Sequence, residues 1–208
     1  MALPPSLSDQ PSLLVVDTSV VININATGCA ESLLKALPHR IAIVDVVVDE
    51  IEGGLRKGRQ DAVKLVKLIE SGLIEVVKLG NQGMVHFENL VIGTSGGTLD
   101  DGEAATIAYA ADVGARAFIE ERKARRLAAE CYTGLPLGCT VDLLKHAEVI
   151  HALGKAGIVD AVFNALVGAR MRVLPHHIAW VVGTIGDERI ASCPCLPGEV
   201  RQQAQARL

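Results

Sequence analysis

The chain has 208 residues, half of them hydrophobic and only 3% aromatic, and its 20 Lys and Arg against 24 Asp and Glu give a formal net charge of −4. That length suits one domain with a full core and an appendage. The scarcity of rings argues against a base-stacking surface, and the negative balance excludes a polycation that clings to nucleic acid everywhere, so any such contact is local.

No apolar run approaches the roughly 20 residues of a membrane helix. Residues 1–10 lack the basic start and apolar middle of a signal peptide. The expectation is a cytoplasmic protein with no membrane contact. Five cysteines (Cys29, Cys131, Cys139, Cys193, Cys195) are an odd number, which argues for free thiols over a disulfide framework.

Residues 13–16 are four consecutive apolar residues after Pro11, the pattern of a strand covered on both faces. Helices follow at 20–26 and 31–37, closed by Pro38, and a second strand at 41–44. Val47, Val48, Ile51 and Leu55 keep helical spacing over 46–55, ahead of a basic turn at 56–58. An amphipathic helix at 61–70 leads to a third strand at 74–77. The glycine-rich stretch 80–99 reads as a long loop with one helical turn near 87–91. Then come a helix at 100–112, a strand at 117–119, a helix at 122–131, a short strand at 137–139 and helices at 141–153 and 159–171. Residues 178–185 read as an extra strand. The alternation of strands and helices predicts a central parallel sheet with helices on both faces, an α/β/α architecture over residues 1–171, with 172–208 as a C-terminal extension packed on the domain or on a partner.

An acid recurs where strand gives way to helix. Asp17 ends the first strand, at the sheet edge where open α/β folds keep their sites; Asp17 or Thr18 could equally cap the next helix. At about 100° per residue, with Ile51 central on the buried stripe, Asp49 points outward while Glu50 and Glu52 flank the stripe. Only Glu50 also falls in the first turn. Glu103 lies one turn before Ile107 on a buried stripe, where an unpaired carboxylate is expensive. It either belongs to a site or forms a capping box with Asp100. Glu120 and Glu121 end the strand at 117–119 as adjacent like charges that call for a counter-ion. An oxygen-only set of this kind suits Mg²⁺ or Mn²⁺ rather than Zn²⁺. Such ions activate water and clamp a scissile phosphate without a protein nucleophile. Beside the acids, Arg122, Lys123, Arg125 and Arg126 form either an ordinary solvated face or a hold on a nucleic-acid backbone.

These residues resemble a PIN-domain ribonuclease, on VVDTSVVININATG (15–28), VVVDEIEGG (46–54), LDDGEAATIAYA (99–110) and IEERKARRLA (119–128). The resemblance implies a PIN-like fold and a Mg²⁺- or Mn²⁺-dependent endoribonuclease acting on single-stranded RNA, of the kind found as the toxin of a toxin–antitoxin pair. It further implies an antitoxin partner and a homodimer. By position it makes Asp17, Glu50, Glu103 and Glu121 the catalytic, metal-holding acids, with Glu120 a further metal ligand and Ser19 and Asn23 as supporting residues. Where the family usually shows Asp in the last motif, this chain has two Glu. The alternative is a catalytically weakened RNA- or protein-binding module. Cys193 and Cys195 with His176 and His177 do not match a zinc spacing.

Overall fold

A computed structural model describes residues 7–55, 60–93 and 97–208. The basic turn at 56–58 and residues 94–96 of the glycine-rich stretch lie outside them. Strand β1 (Leu13–Val16) leads into α1 (Thr18–Ala26) and α2 (Ala30–Ala36). Strand β2 (Arg40–Val44) is followed by α3 (Asp45–Leu55) and α4 (Asp61–Glu70), and β3 (Glu75–Val77) by α5 (Asn81–Ile92) and α6 (Asp101–Val113). After β4 (Arg116–Phe118), α7 (Arg122–Cys131) and β5 (Leu137–Gly138), the chain is helical: α8 (Thr140–Leu144), α9 (Ala147–Gly168), a 3-10 turn at Pro175–His177, α10 (Ile178–Ile185), α11 (Asp187–Ile190) and α12 (Gly198–Gln205).

The five strands form one parallel sheet in the order β3-β2-β1-β4-β5, flanked by helices, which is the expected α/β/α fold. The chain lays β1, β2 and β3 toward one edge and then returns to set β4 on the other side of β1. A reversal of this kind, here between β1 and β4, is where such sheets as a rule leave a ligand crevice at the carboxyl ends of the strands. Leu14, Val15, Val16, Ile43 and Val44 have no solvent exposure, as strands covered on both faces require. Helix α6 packs against β1, β2 and β4 through Ala104, Ala105, Ile107 and Ala108, all fully buried. Its run of alanines lets the helix axis lie close to the sheet and brings the start of α6 to those strand ends.

Two compact units divide the chain. One comprises Asp9–Val21 and Pro38–Cys139 and contains the whole sheet. The other contains Ile22–Leu37 and Thr140–Leu208 and is helical, with α9 packed on α2 and α10. Within it the Asn164 amide donates to the Thr27 carbonyl at 3.2 Å, and Arg189 meets Asp160 at 2.7 Å while lying over the Phe163 ring.

Some readings of the sequence need correction. The stretch after β3 is no long loop: α5 runs for twelve residues and packs on α6. Three of its glycines punctuate and pack the helix. Gly80 precedes it, Gly93 ends it at φ 89°, and Gly83 sits where the helix meets the Asp112 carboxylate, its N–H donating to Oδ2 at 3.2 Å. Residues 178–185 form helix α10, with Val181 and Ile185, one turn apart, buried together. A short β-branched run cannot be told from a buried helix by period alone, and tertiary packing decided it. The two helices expected at 141–153 and 159–171 are instead the short α8 and the long α9, which begins at a His146 cap accepting the Glu148 N–H at 3.3 Å.

By length and composition α9 is a 22-residue helix long and apolar enough to cross a membrane, contrary to the expectation that no run approaches that size. Its backbone is broken at Gly154 (φ 64°, ψ 174°), so neither helical piece reaches the roughly 20 residues a span needs.

Gly138 lies beside Phe118 in register, and a Cβ there would stand 2.6–2.8 Å from three carbons of that fully buried ring. Gly138→Ala is therefore expected to destabilise by about 1–3 kcal/mol, as overpacking does. Chemical denaturation measures it, and Phe118→Leu in the same background is expected to recover part of the loss.

Candidate active site

Asp17 is the first residue beyond β1, and its N–H donates to the Phe118 carbonyl at 3.2 Å, adding one rung to the β1–β4 pairing. The side chain is 1% exposed. Oδ1 accepts the Val20 N–H at 2.8 Å, so the capping role and the buried position coexist. Oδ2 is buried with no hydrogen-bond partner among the described residues. Burial pushes this carboxyl well above the usual carboxylate range; the Val20 amide pulls it back and the Glu120 amide does so more weakly, while the charges of Glu120 and Glu103 push it further up.

Helix α6 starts at an Asp100 cap, whose Oδ1 accepts the Glu103 N–H at 2.9 Å. That is half of the capping box considered from the sequence; Glu103 itself is 9% exposed. Its pKa is pushed up to about 7, by burial first and then by the charges of Asp100, Glu121 and Glu50. Glu50 is exposed and is the sixth residue of α3, which begins at Asp45, so it lies in the second turn and not in the first as expected; at about 3.6 residues per turn a start at 46 would also have put it there. Its Oε2 accepts the Thr18 hydroxyl at 2.7 Å. Asp49 is exposed, as the helical geometry required.

Glu120 is 4% exposed and acts on Asp17, whereas Glu121, half-buried at the start of α7, acts on Glu103. The two adjacent acids thus act most on different members of the cluster. Asp17 couples electrostatically to Glu120 and Glu103, and Glu103 to Glu121, Glu50 and Asp100. Acids from all four segments singled out in the sequence therefore share one place, at the reversal of the sheet. Sequence pattern misses two neighbours, since it marks Asp100 only as a cap and Gly102 not at all. Thr18, which the pattern offers only as a cap, holds Glu50.

The other candidates separate. Ser19 is exposed in the first turn of α1. Asn23 is buried, and its Nδ2 donates to the Thr140 hydroxyl at 3.0 Å, which makes it a partnered interior amide. Arg125 does not lie on an open basic face. Its guanidinium donates to the carbonyls of Ile119 (2.9 Å) and Gly138 (2.6 Å), stapling the ends of β4 and β5. Lys123 donates to the Thr98 carbonyl just ahead of α6. Arg122 and Arg126 are exposed, Arg126 with a loose 3.7 Å pairing to Glu130.

All five cysteines are free thiols. Cys193 and Cys195 donate to the carbonyls of Arg189 (3.3 Å) and Leu166 (3.4 Å), and burial pushes both thiols up, Cys193 to about 11. His177 turns to Asp142, with Nε2 3.0 Å from Oδ1, and the His176 ring lies against His177 at 4.0 Å between centroids, tilted by 49°.

A parallel sheet in this order, with acids gathered where its strand order reverses, defines a PIN-like α/β protein. The chain belongs to the PIN-domain family, a family model described as a PIN domain matching residues 13–186. The matching model is that of the DUF3368 group within it. Among solved structures the chain is similar to VapBC2 from Rickettsia felis, crystallised bound to a DNA fragment from its promoter. The identity is 16%, the match covers 61% of this chain and 98% of that one, and the TM-score is 0.46. Comparison with curated proteins gives no match.

The raised carboxyls make metal-free stability fall with pH. Between the unfolded value of 4.5 and the folded value of about 7 for Glu103, the native state binds more protons than the unfolded chain. Its contribution is therefore most favourable below that window and is lost as pH rises through it; Asp17 acts in the same direction. In EDTA, the melting temperature is expected to be lower at pH 7.5 than at pH 5.5, and Glu103→Gln to raise it at pH 7.5 and flatten the slope.

Proposed function

We propose that this protein is a metal-dependent endoribonuclease that hydrolyses phosphodiester bonds of single-stranded RNA, with Mg²⁺ or Mn²⁺ held by Asp17, Glu50, Glu103, Glu121 and Glu120. PIN domains are generally nucleases. The observation that carries the reading is the buried Asp17 carboxylate, one oxygen without a hydrogen-bond partner among the described residues, with Glu120 and Glu103 as the charges that act on it most. A divalent cation fits such residues: the donors are all hard oxygens, and the repulsion that raises Asp17 and Glu103 turns into attraction once a cation lies among them.

A cation bound there supplies Lewis-acid polarisation of the scissile phosphate and a lowered pKa for the attacking water. The chain's own residues do the rest. Asp17 presents a rigid oxygen, fixed by the Val20 amide at the end of β1. Glu103 stands on the first turn of α6, and Glu50 is held by Thr18. Arg122 and Arg126, exposed on α7 next to the acids, bind the RNA backbone as point charges without reading its sequence. Glu120 and Glu121, with one methylene more than the usual Asp, favour Mn²⁺ over the geometrically stricter Mg²⁺. We place this chemistry in residues 1–171, with 172–208 as a supporting extension. The family resemblance also supports a toxin role, with an antitoxin as partner and a homodimer as the working form.

Mn²⁺ at a hundredfold excess over its dissociation constant is expected to stabilise the wild type by about 2.7 kcal/mol and to leave Asp17→Asn unmoved. Asp17→Asn is also expected to bring cleavage of a single-stranded RNA to background. RNA bound but not cut with Mn²⁺ present would point to a binding module instead. Arg122→Glu with Arg126→Glu is expected to weaken RNA binding and to lower the salt slope by about 0.7 for each phosphate no longer neutralised, without changing the response to Mn²⁺.

A further inference from the structure

We infer that Gly102 is a positioning residue for Glu50: its missing side chain leaves the space in which the Glu50 carboxylate rests on the first turn of α6. This rests on the metal reading proposed above. Among Asp17, Glu50, Glu103, Glu120 and Glu121, Glu50 alone is exposed, and its long side chain stands on a helix of its own, so nothing in its backbone fixes where its oxygens lie. Two contacts do so. The Thr18 hydroxyl donates to Oε2 at 2.7 Å. On the other side the carboxylate lies directly against Gly102, close enough that a Cβ built there would overlap Oε2 outright; the same Cβ would stand 3.5 Å from the carboxyl carbon and 3.1 Å from the Thr18 oxygen.

Gly102 sits in the second position of α6, between the Asp100 cap and Glu103. Its backbone shows no positive φ, so no conformational requirement accounts for a glycine here. Glycine in a helix instead costs about 1 kcal/mol relative to alanine. What the position gains is close approach: a carboxylate from α3 lies against the first turn of α6, the end where the helix dipole favours negative charge, and acts on Glu103. The three nearest atoms that a Cβ would meet all belong to Glu50 or Thr18. An added methyl group therefore disturbs the carboxylate and its hydroxyl partner rather than the core, and displaces the far end of a flexible side chain.

The two roles separate by sign. Gly102→Ala is expected to leave the metal-free melting temperature unchanged or raised, through helix propensity, while weakening Mn²⁺ affinity on the order of tenfold, as removing the support of a metal ligand does. Calorimetric titration with Mn²⁺ and melting in EDTA read the two effects on the full chain. In a Glu50→Ala background, where there is no carboxylate to displace, the same substitution is expected to change Mn²⁺ affinity less than about twofold, because the coupling is specific to the pair. Equal losses in both backgrounds, or an unchanged affinity in Gly102→Ala alone, would overturn the assignment. So would a metal-free protein markedly destabilised by the substitution, which would make Gly102 a packing residue. A wild type that does not bind Mn²⁺ in a manner abolished by Asp17→Asn would instead remove the metal reading and this inference with it.

Discussion

A carboxylate taken out of water must find compensation, and the end of β1 places one where little is on offer. Asp17 is fixed there by its own backbone, which continues the pairing with β4, and by the first turn of α1, which takes one of its oxygens. The other oxygen is buried without a hydrogen-bond partner among the described residues, and the charges of Glu120 and Glu103 act on the group. An isolated ion in such surroundings responds by holding its proton, and the raised values of Asp17 and Glu103 are that response. The site is thus kept at some expense to the metal-free fold, a common feature of places where chemistry is done.

The sheet order is what assembles those acids. Because β1 lies between β2 and β4, the residues just past β1 and β4 are neighbours although about a hundred positions apart in sequence. Helix α6 starts at the same edge and descends across the sheet on its alanine-rich face, carrying Glu103 to Asp17. Arg125, with two hydrogen bonds to strand-end carbonyls, holds β4 and β5 together directly beside Glu120 and Glu121. A cation that resembles a nucleic-acid contact in sequence is in the structure part of the frame on which the acids stand.

Helix starts supply a permanent positive potential among the acids themselves. The first turns of α1 and α6 each present N–H groups to a carboxylate, from Asp17 and Asp100 respectively. These partial charges lower the repulsion without cancelling it. The balance suits a cluster that must stay assembled when empty and still favour a cation when one arrives.

Much of this is legible in the residues alone. The apolar run at β1, the helix at α4 and the basic helix at α7 announce themselves by period and by their flanking residues, and the acids stand at junctions that the alternation of elements defines. Local pattern fails where one residue type serves two purposes. The glycines from 80 to 97 resemble a loop, although Gly80 and Gly93 bound a helix and Gly83 packs it. The β-branched run at 178–185 resembles a strand, although its partners make it a helix. Which of two adjacent acids acts most on which neighbour, that Asn23 and Arg125 are turned to interior partners, and that Glu50 rests on Gly102 all depend on atoms far away in sequence. The sequence by itself determined the order of most elements and the kinds of side chain at their junctions, because those follow from local periodicity and chemistry. Only the tertiary structure decided which of those side chains meet, because burial and electrostatic coupling are properties of neighbours in space.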